Sequence, residues 1–200
     1  KYGVPLSLFN LDQKDQYGVL EVGMDKKGEI DFLSKIIQPD VSVITNINYA
    51  HVKNFKNLKQ IALAKSEIIN NTKVNGFVVL NADDDFFNFH KKIALKKNLK
   101  VLSFSIKRKN SNVKFINIKK SGKNFKAIIE INNSKTSFLI SNDFQNNILN
   151  ILATLTVMNI FIDISRINKN TFINFDIPQG RGDFSKIKVK NKNLNLIDES

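Results

Sequence analysis

Short β-branched runs alternate with amphipathic stretches over the first two thirds of the chain. This alternation is typical of βαβ units, in which helices cover a parallel sheet. The predicted strands are 17–22, 41–45, 76–81 and 100–105. The predicted helices are 29–37, 58–70 and 84–96. The pattern therefore predicts an α/β fold with a mostly parallel sheet flanked by helices.

After residue 112 the apolar positions begin to alternate with polar ones, as in antiparallel hairpins. The predicted strands here are 113–118, 125–131 and 136–140, with Asn132 and Asn133 as a turn. We expect them to extend one edge of the parallel sheet. Asp143 is a candidate cap for the long helix that follows. The remaining predicted elements are helices 144–159 and 165–175 and strands 184–189 and 194–197.

The composition fits one domain of ordinary size, since 42% of the 200 residues are hydrophobic. The chain has no cysteine, which excludes disulfides, thiolate zinc sites and cysteine nucleophiles and fits a reducing compartment. No window approaches the roughly 18 apolar residues of a membrane span. We therefore expect a soluble, cytoplasmic protein with no membrane partner.

The net charge of +13 raises the question of nucleic-acid binding. The lysines are scattered among many Asn and Ile residues, and the densest basic run, 107–109, falls in a predicted hairpin loop. This distribution favours a solvated basic surface, so we expect no nucleic-acid partner. A basic nucleic-acid-binding module is the alternative from a different class, and it would show tight, salt-sensitive binding.

Lys65 lies on the apolar face of helix 58–70, at helical spacing from Ile61, Ala62 and Ile68. A lysine in an apolar setting must be paired, neutral or covalently modified. The ordinary alternative is a side chain whose stem follows the core while its ammonium reaches solvent. The spacing alone leaves both interpretations open.

Two potential metal ligands follow predicted parallel strands. Glu21 ends the first strand, and His51 lies in the loop after the second. Ligands bind open parallel sheets at the carboxyl ends of the strands, where a carboxylate and an imidazole could hold a divalent cation. Each residue taken singly is more often a surface or capping group. His90, the other histidine, is expected to be exposed and without a role.

Four further polar residues are candidates for nucleotide contacts. Asn147 and Asn150 are three positions apart on the long helix and share a face, and carboxamides suit the edge of an adenine. Asp198 ends the last predicted strand, where a carboxylate could bind ribose hydroxyls. Arg181 lies between two glycines and could pair with phosphate. In a chain so rich in Asn, these signals are weak when taken alone.

Taken in order, these residues resemble the signature series of the Mur ligases. The segment 21–30, Glu-Val-Gly-Met-Asp-Lys-Lys-Gly-Glu-Ile, resembles the run of the members that add D-alanyl-D-alanine. The similarity spans essentially the whole chain, and 21–67 is its most specific part. This chain differs from the family at 144–147, where it has Phe-Gln-Asn-Asn and the family has Gly-x-His-Asn. The further motifs are Pro39-Asp40, Thr45-Asn46-Ile47, Ala50-His51, Ala64-Lys65, Glu67-Ile68, Asn81, Asp83-Asp84, Gly180-Arg181-Gly182 and Ile197-Asp198.

The resemblance implies a P-loop NTPase-like central domain of this family with an antiparallel β extension. Residues 1–182 would form the ATP-binding domain, and 183–200 would be its last strands, leading towards a C-terminal domain. The glycine-rich phosphate loop of the family would precede residue 1, so both ends are expected to be cuts. A segment of this kind is expected to lack ligase activity, to bind ATP poorly and to leave an unpaired sheet edge.

The resemblance also implies ATP and Mg²⁺ as cofactors and gives each candidate residue a role. Glu21, His51 and Lys65, if its amine is carbamylated, would hold the metal. Asn147 and Asn150 would face the adenine. The remaining nucleotide contacts would come from Asp198, at the ribose, and Arg181, at the phosphates. The residues with catalytic roles would be Lys65, His51 and Arg181.

The implied reaction belongs to peptidoglycan precursor synthesis. ATP would phosphorylate the C-terminal carboxylate of UDP-N-acetylmuramoyl-tripeptide, and the amine of D-alanyl-D-alanine would attack the acyl phosphate. The protein is expected to be a monomer. The alternatives within the superfamily are a Mur ligase that adds a single amino acid and a folylpolyglutamate synthase. The amine that the enzyme accepts distinguishes these from the D-alanyl-D-alanine type.

Overall fold

The computed structural model describes residues 3–48, 54–108 and 110–175, together with the backbone of 183–189 and 192–198. The helices are α1 (Gly3–Phe9), α2 (Glu29–Ile37), α3 (Leu58–Lys65), α4 (Glu67–Asn70), α5 (Phe87–Lys96) and α6 (Gln145–Phe161). The strands are β1 (Val41–Ile44), β2 (Phe77–Asn81), β3 (Lys100–Ser105), β4 (Val113–Ser121), β5 (Asn124–Ile131), β6 (Ser134–Ile140), β7 (Asp183–Val189) and β8 (Lys192–Asp198).

The first six strands form one sheet in chain order. Strands β1 to β4 pair in parallel, and β4, β5 and β6 pair antiparallel. This confirms the predicted α/β fold with an antiparallel extension. Strands β7 and β8 pair antiparallel as a separate two-stranded sheet. The predicted domain boundary at residue 182 falls outside the described residues and stays a prediction.

Helices cover both faces of the six-stranded sheet, and each face has its own apolar core. On one face α6 packs against β2, β3 and β4. On the other face the core combines residues of α2 to α5 with Ile44, Val78 and Leu80 from the strands. Val79 of β2 belongs to the α6 side. Successive residues of β2 therefore face opposite cores, which explains why this strand is a continuous apolar run.

The antiparallel extension is built from long strands joined by tight turns. Asn132 and Asn133 have φ of 48° and 70°, the left-handed conformation that favours Asn in two-residue hairpin turns, so the predicted turn is confirmed. The register of β4 against β5 shifts between Phe115 and Asn117, which marks a β-bulge at Ile116. The bulge lies in the part of β4 that runs beyond its pairing with β3.

Several predicted elements are wrong. Residues 17–22 form no strand, because no described strand pairs with them and Val19 is 95% exposed. Residues 165–175 contain only a short 3-10 turn at Ile164–Arg166 and further turns. The basic run near residue 107 is not in a hairpin, because β3 and β4 are parallel. Helix 58–70 is broken at Ser66.

The start of α6 also differs from the prediction. Its N-cap is Phe144, and Asp143 is exposed rather than capping the helix. The side-chain oxygen of Asn142 instead accepts hydrogen bonds from the Phe144 amide, at 3.2 Å, and from the Asn147 carboxamide, at 3.1 Å. In the part of the chain that the structure describes, none of the helices is long and apolar enough to span a membrane.

Candidate functional site

Three loops meet at the carboxyl ends of β1, β2 and β3: residues 45–48, 82–86 and 106–108. This is the edge at which open parallel sheets bind ligands. Lys65, the last residue of α3, reaches this edge, and its Nζ donates a hydrogen bond to the carbonyl oxygen of Asn46 at 2.9 Å. The contact joins the motif at 64–65 to the motif at 45–47.

Lys65 has the partly apolar environment that its helical spacing predicts. The side chain is half-buried, between buried Ala64 and Ser66. Burial lowers the pKa of Lys65, and the nearby negative charge of Asp84 partly opposes that effect. The ammonium is therefore partly desolvated and meets a carbonyl oxygen. Its carbamylation stays a prediction.

Asp84 holds the same loop from the other side. Its Oδ2 accepts a hydrogen bond from the Ile47 amide at 2.7 Å, and its Oδ1 accepts one from the Phe86 amide at 2.8 Å. One carboxylate therefore connects the loop after β1 with the loop after β2. The contact brings a third motif, 83–84, into the same place as 45–47 and 64–65.

Asp83 points to the third loop. Its oxygens accept hydrogen bonds from the amides of Ile106 at 2.6 Å, Lys107 at 3.1 Å and Arg108 at 3.1 Å. Three consecutive acidic residues, Asp83 to Asp85, precede α5, and carboxylates at such a position can cap the free amides of a helix start. Only Asp84 does part of this, through the Phe86 amide, whereas Asp83 fixes the loop after β3.

The prediction for His90 is wrong. The side chain is 2% exposed, and its Nε2 lies 3.1 Å from the carbonyl oxygen of Ala62 in α3. Burial lowers the pKa of His90, more than the Ala62 carbonyl and the charge of Asp84 raise it, and Lys65 adds a smaller lowering effect. His90 therefore ties α5 to α3 one turn before Lys65.

Glu67 belongs to the motif at 67–68, and the sequence predicts no role for its side chain. Its side chain is 9% exposed, and its carboxylate accepts hydrogen bonds from the amides of Gly28, at 2.9 Å, and Asp31, at 3.0 Å. These amides belong to the start of α2, where a negative charge is favourable. Glu67 therefore fixes α2, and with it the end of the 21–30 segment, to α4.

The two candidate adenine contacts have different environments. Asn147 is 1% exposed; its amide group donates to Asn142, and its carbonyl oxygen Oδ1 is buried without a hydrogen-bond partner in the described structure. Asn150 is exposed, one turn further along α6. A buried acceptor without a donor is costly and calls for an explanation, such as a ligand that supplies the donor.

The structure describes the other predicted site residues only in part. Glu21 is exposed and lies in irregular chain rather than at the end of a strand. His51 and Arg181 lie outside the described residues, and so does the side chain of Asp198, although its backbone ends β8. The described residues contain no cluster of three or more His, Asp or Glu side chains that could hold a metal ion. The proposed metal site stays a prediction.

Two clefts lie at opposite ends of α6. A cleft of about 240 Å³ opens at the carboxyl edge of the sheet, between the loop after β2 and the first turns of α6. A larger cleft of about 530 Å³ lies at the end of α6, beside the 3-10 turn. The smaller cleft is lined by Asp83, Asp84, Lys107 and Gln145 among others, so polar groups converge there.

Comparison with known proteins agrees with this geometry. Residues 1–158 match the model of the Mur ligase middle domain. A UDP-N-acetylmuramoyl-tripeptide–D-alanyl-D-alanine ligase of Buchnera aphidicola subsp. Baizongia pistaciae is 34% identical over 168 residues, which cover 82% of this chain and 36% of that protein. The chain therefore spans about a third of that relative's length.

Solved structures show the same similarity. A crystal structure of MurF from Acinetobacter baumannii superposes with a TM-score of 0.81 and 26% identity over 98% of this chain and 42% of that chain. MurF ligase from Thermotoga maritima in complex with ADP superposes with a TM-score of 0.77 and 26% identity over 100% of this chain and 44% of that chain. The chain belongs to the Mur ligase family, through the middle domain of that family.

Proposed function

We propose that this chain is the ATP-binding part of a ligase that joins D-alanyl-D-alanine to UDP-N-acetylmuramoyl-tripeptide in peptidoglycan precursor synthesis. One observation carries the proposal: three motifs that are distant in sequence meet at one sheet edge. Lys65 contacts the Asn46 carbonyl, and Asp84 contacts the Ile47 amide. The names of the relatives and the ADP bound to the Thermotoga maritima structure support this choice.

The adenine is assigned to the start of α6. The unpaired Oδ1 of Asn147 is an acceptor in a buried position, and the exocyclic amine of adenine is a donor. Asn150, one turn away and exposed, is the second proposed contact. Asp198 is proposed to bind the ribose hydroxyls, and Arg181 is proposed to pair with the phosphates.

Mg²⁺ favours oxygen ligands, and the surroundings of Lys65 are rich in oxygen, with the Asn46 carbonyl and the Asp84 carboxylate nearby. The proposed ligands are Glu21, His51 and the carbamate of Lys65. When bound, the metal would neutralise charge on the phosphates. A carbamate would also replace the partly desolvated ammonium of Lys65 with a metal-facing anion, which removes the cost of desolvating that cation.

The proposed catalysis consists of positioning and charge neutralisation. Arg181 would pair with the phosphoryl group while it passes to the substrate carboxylate. The amine of D-alanyl-D-alanine would then attack the acyl phosphate carbon, so that the amide forms and phosphate leaves. His51 would stay at the metal and help to orient the reacting carboxylate. We place this reaction in the cytoplasm, in a monomer with no nucleic-acid or membrane partner.

The amine requirement of the complete gene product tests the proposal. Purified protein is mixed with ATP, Mg²⁺ and UDP-N-acetylmuramoyl-tripeptide, and phosphate release is measured with and without D-alanyl-D-alanine. We expect release that depends on the dipeptide, together with an amide product that mass spectrometry identifies. Release that depends instead on a single amino acid, or on a folate and glutamate, would show that one of the other superfamily members is the correct assignment.

A further inference from the structure

A single peptide group at the sheet edge is held at both ends by opposite charges. The carbonyl oxygen of Asn46 and the amide of Ile47 belong to the same peptide plane. The Lys65 ammonium donates to the carbonyl at 2.9 Å, and the Asp84 carboxylate accepts from the amide at 2.7 Å. Because hydrogen bonds to charged groups are the stronger ones, this plane is fixed against rotation.

The held peptide lies in the loop that follows β1. Ile47 is also buried in the core between the sheet and α3, so its side chain and its backbone are both fixed. Asp84 is itself anchored, because its other oxygen accepts from the Phe86 amide at 2.8 Å. A shift of Asp84 would therefore shift the peptide that accepts a hydrogen bond from Lys65.

We infer that Asp84 is a positioning residue of the ligase reaction, which acts through the 46–47 peptide to fix the position of Lys65. The inference rests on the proposed function for its kinetic consequence but not for its structural one. Asp84 makes no contact with the reacting groups in this scheme. Its contribution is to hold the peptide plane, so that the Nζ of Lys65, which keeps one N–H when it is carbamylated, has a fixed acceptor.

The chain contains a matched control next to Asp84. Asp83 is an equally half-buried carboxylate that also accepts hydrogen bonds from backbone amides. Its partners are residues 106–108, after β3, and not the 46–47 peptide. Replacing either residue removes a carboxylate and exposes backbone amides, but only the change at 84 releases the peptide that Lys65 also holds.

The kinetic test compares Asp84→Ala and Asp84→Asn with the wild type in the complete gene product, whereas Asp83→Ala, which also lines the cleft, serves as the control for amide exchange. Misplacement of a reacting group by about 1 Å can cost about 100-fold in rate, so we expect kcat of Asp84→Ala to fall by about 10- to 100-fold with KM for ATP little changed. The Asp84→Asn variant keeps one acceptor oxygen and should recover part of kcat. Equal kcat in Asp84→Ala and wild type would overturn the inference.

Amide hydrogen exchange tests the structural step without relying on activity. We expect Asp84→Ala to speed exchange of the Ile47 amide and its neighbours, and Asp83→Ala to speed exchange at 106–108 instead. Unchanged exchange at Ile47 would overturn the inference even if kcat falls. Absence of D-alanyl-D-alanine-dependent turnover in the wild type would contradict the proposed function alone. If Asp84→Ala does not fold, Asp84→Asn decides both measurements.

Discussion

Charged side chains near the sheet edge are held by backbone groups in this structure. Lys65 donates to a carbonyl, and Asp83 and Asp84 accept from amides of three different loops. Such bonds join segments that are distant in sequence, and they satisfy loop amides that would otherwise lose their hydrogen bonds when buried. The positions of the loops therefore depend on three charged side chains, those of Lys65, Asp83 and Asp84.

His90 gives a prediction at this scale. Because burial lowers its pKa below the value of about 6.5 that it has in an unfolded chain, the unfolded chain binds a proton first as the pH falls. The free energy of unfolding should therefore decrease as the pH is lowered through about 6.5. His90→Gln keeps an N–H donor for the Ala62 carbonyl and has no proton to bind, so it should lose less stability over the same range.

Urea unfolding of both proteins at about pH 7.5 and about pH 5.5 measures this difference. His51 is present in both proteins, so the comparison isolates His90. Equal pH dependence in wild type and His90→Gln would contradict the prediction. The charge of Asp84 raises the His90 pKa, so repeating the comparison in an Asp84→Asn background shows how much of the pH dependence Asp84 contributes.

Two residues at this scale show what sequence periodicity can predict. The half-buried position of Lys65 follows from the helical spacing of its apolar neighbours, because α3 begins at the predicted residue. The same reasoning could have found His90, since Ala94, four residues on, is buried on the same face of α5. The adjacent Lys91 and Lys92 obscured that signal. The partners of Asp83 and Asp84 could not be predicted, because they belong to loops that only the fold brings close.

At the scale of elements, α2 depends on a side chain from another helix. It begins after Gly28, whose φ is 91°, and no side chain of its own caps it. Glu67 supplies the missing acceptor from α4. Glu67 is a nearly buried carboxylate that accepts hydrogen bonds from two backbone amides. It should therefore stabilise the contact between α2 and α4 more than an exposed ion pair would.

We predict that Glu67→Ala lowers the free energy of unfolding by about 1–3 kcal/mol, because it leaves the amides of Gly28 and Asp31 without an acceptor. Glu67→Gln keeps one acceptor oxygen and should lose less. Urea unfolding at pH 7 measures both changes. Asp40→Ala is the control: the exposed Asp40–Lys73 pair, at 2.8 Å, should contribute at most about 1 kcal/mol. Similar losses at 40 and 67 would contradict this assignment.

Elements buried on both faces were the most predictable part of the fold. Strand β2 is an apolar run, and the structure has both β2 and β3 within one residue of the expected ends. Residues 17–22 are also mostly apolar but form no strand, because a strand needs a neighbour with which to pair. Composition alone contains no information about that neighbour.

At the scale of the whole molecule, the net charge of +13 lies at the surface, because the lysines that the structure describes are exposed apart from the half-buried Lys65 and Lys114. Lys114 pairs with Glu130 across β4 and β5 at 2.8 Å. The excess positive charge therefore faces solvent. It should produce weak, nonspecific attraction to polyanions and no sequence-specific binding.

We predict that the complete gene product binds a random-sequence DNA duplex no more tightly than the nonspecific range, with Kd of about 10⁻⁴–10⁻⁶ M at physiological salt. Fluorescence anisotropy with labelled duplexes measures this affinity over a series of salt concentrations. A single-stranded RNA of equal length is the companion probe. Submicromolar binding that one sequence retains at physiological salt would favour the nucleic-acid alternative over the ligase.

Helix α6 lies across both parts of the sheet, and its apolar core includes residues from the parallel strands and from the antiparallel extension. If α6 leaves one part of the sheet, the apolar residues of the other part are exposed as well. The hairpins of β4 to β6 should therefore melt together with the parallel strands rather than as a separate foldon, although they are consecutive in the chain. Insertions at the Asn132–Asn133 tip would lie away from this shared cover, which makes it a suitable place for a spectroscopic tag.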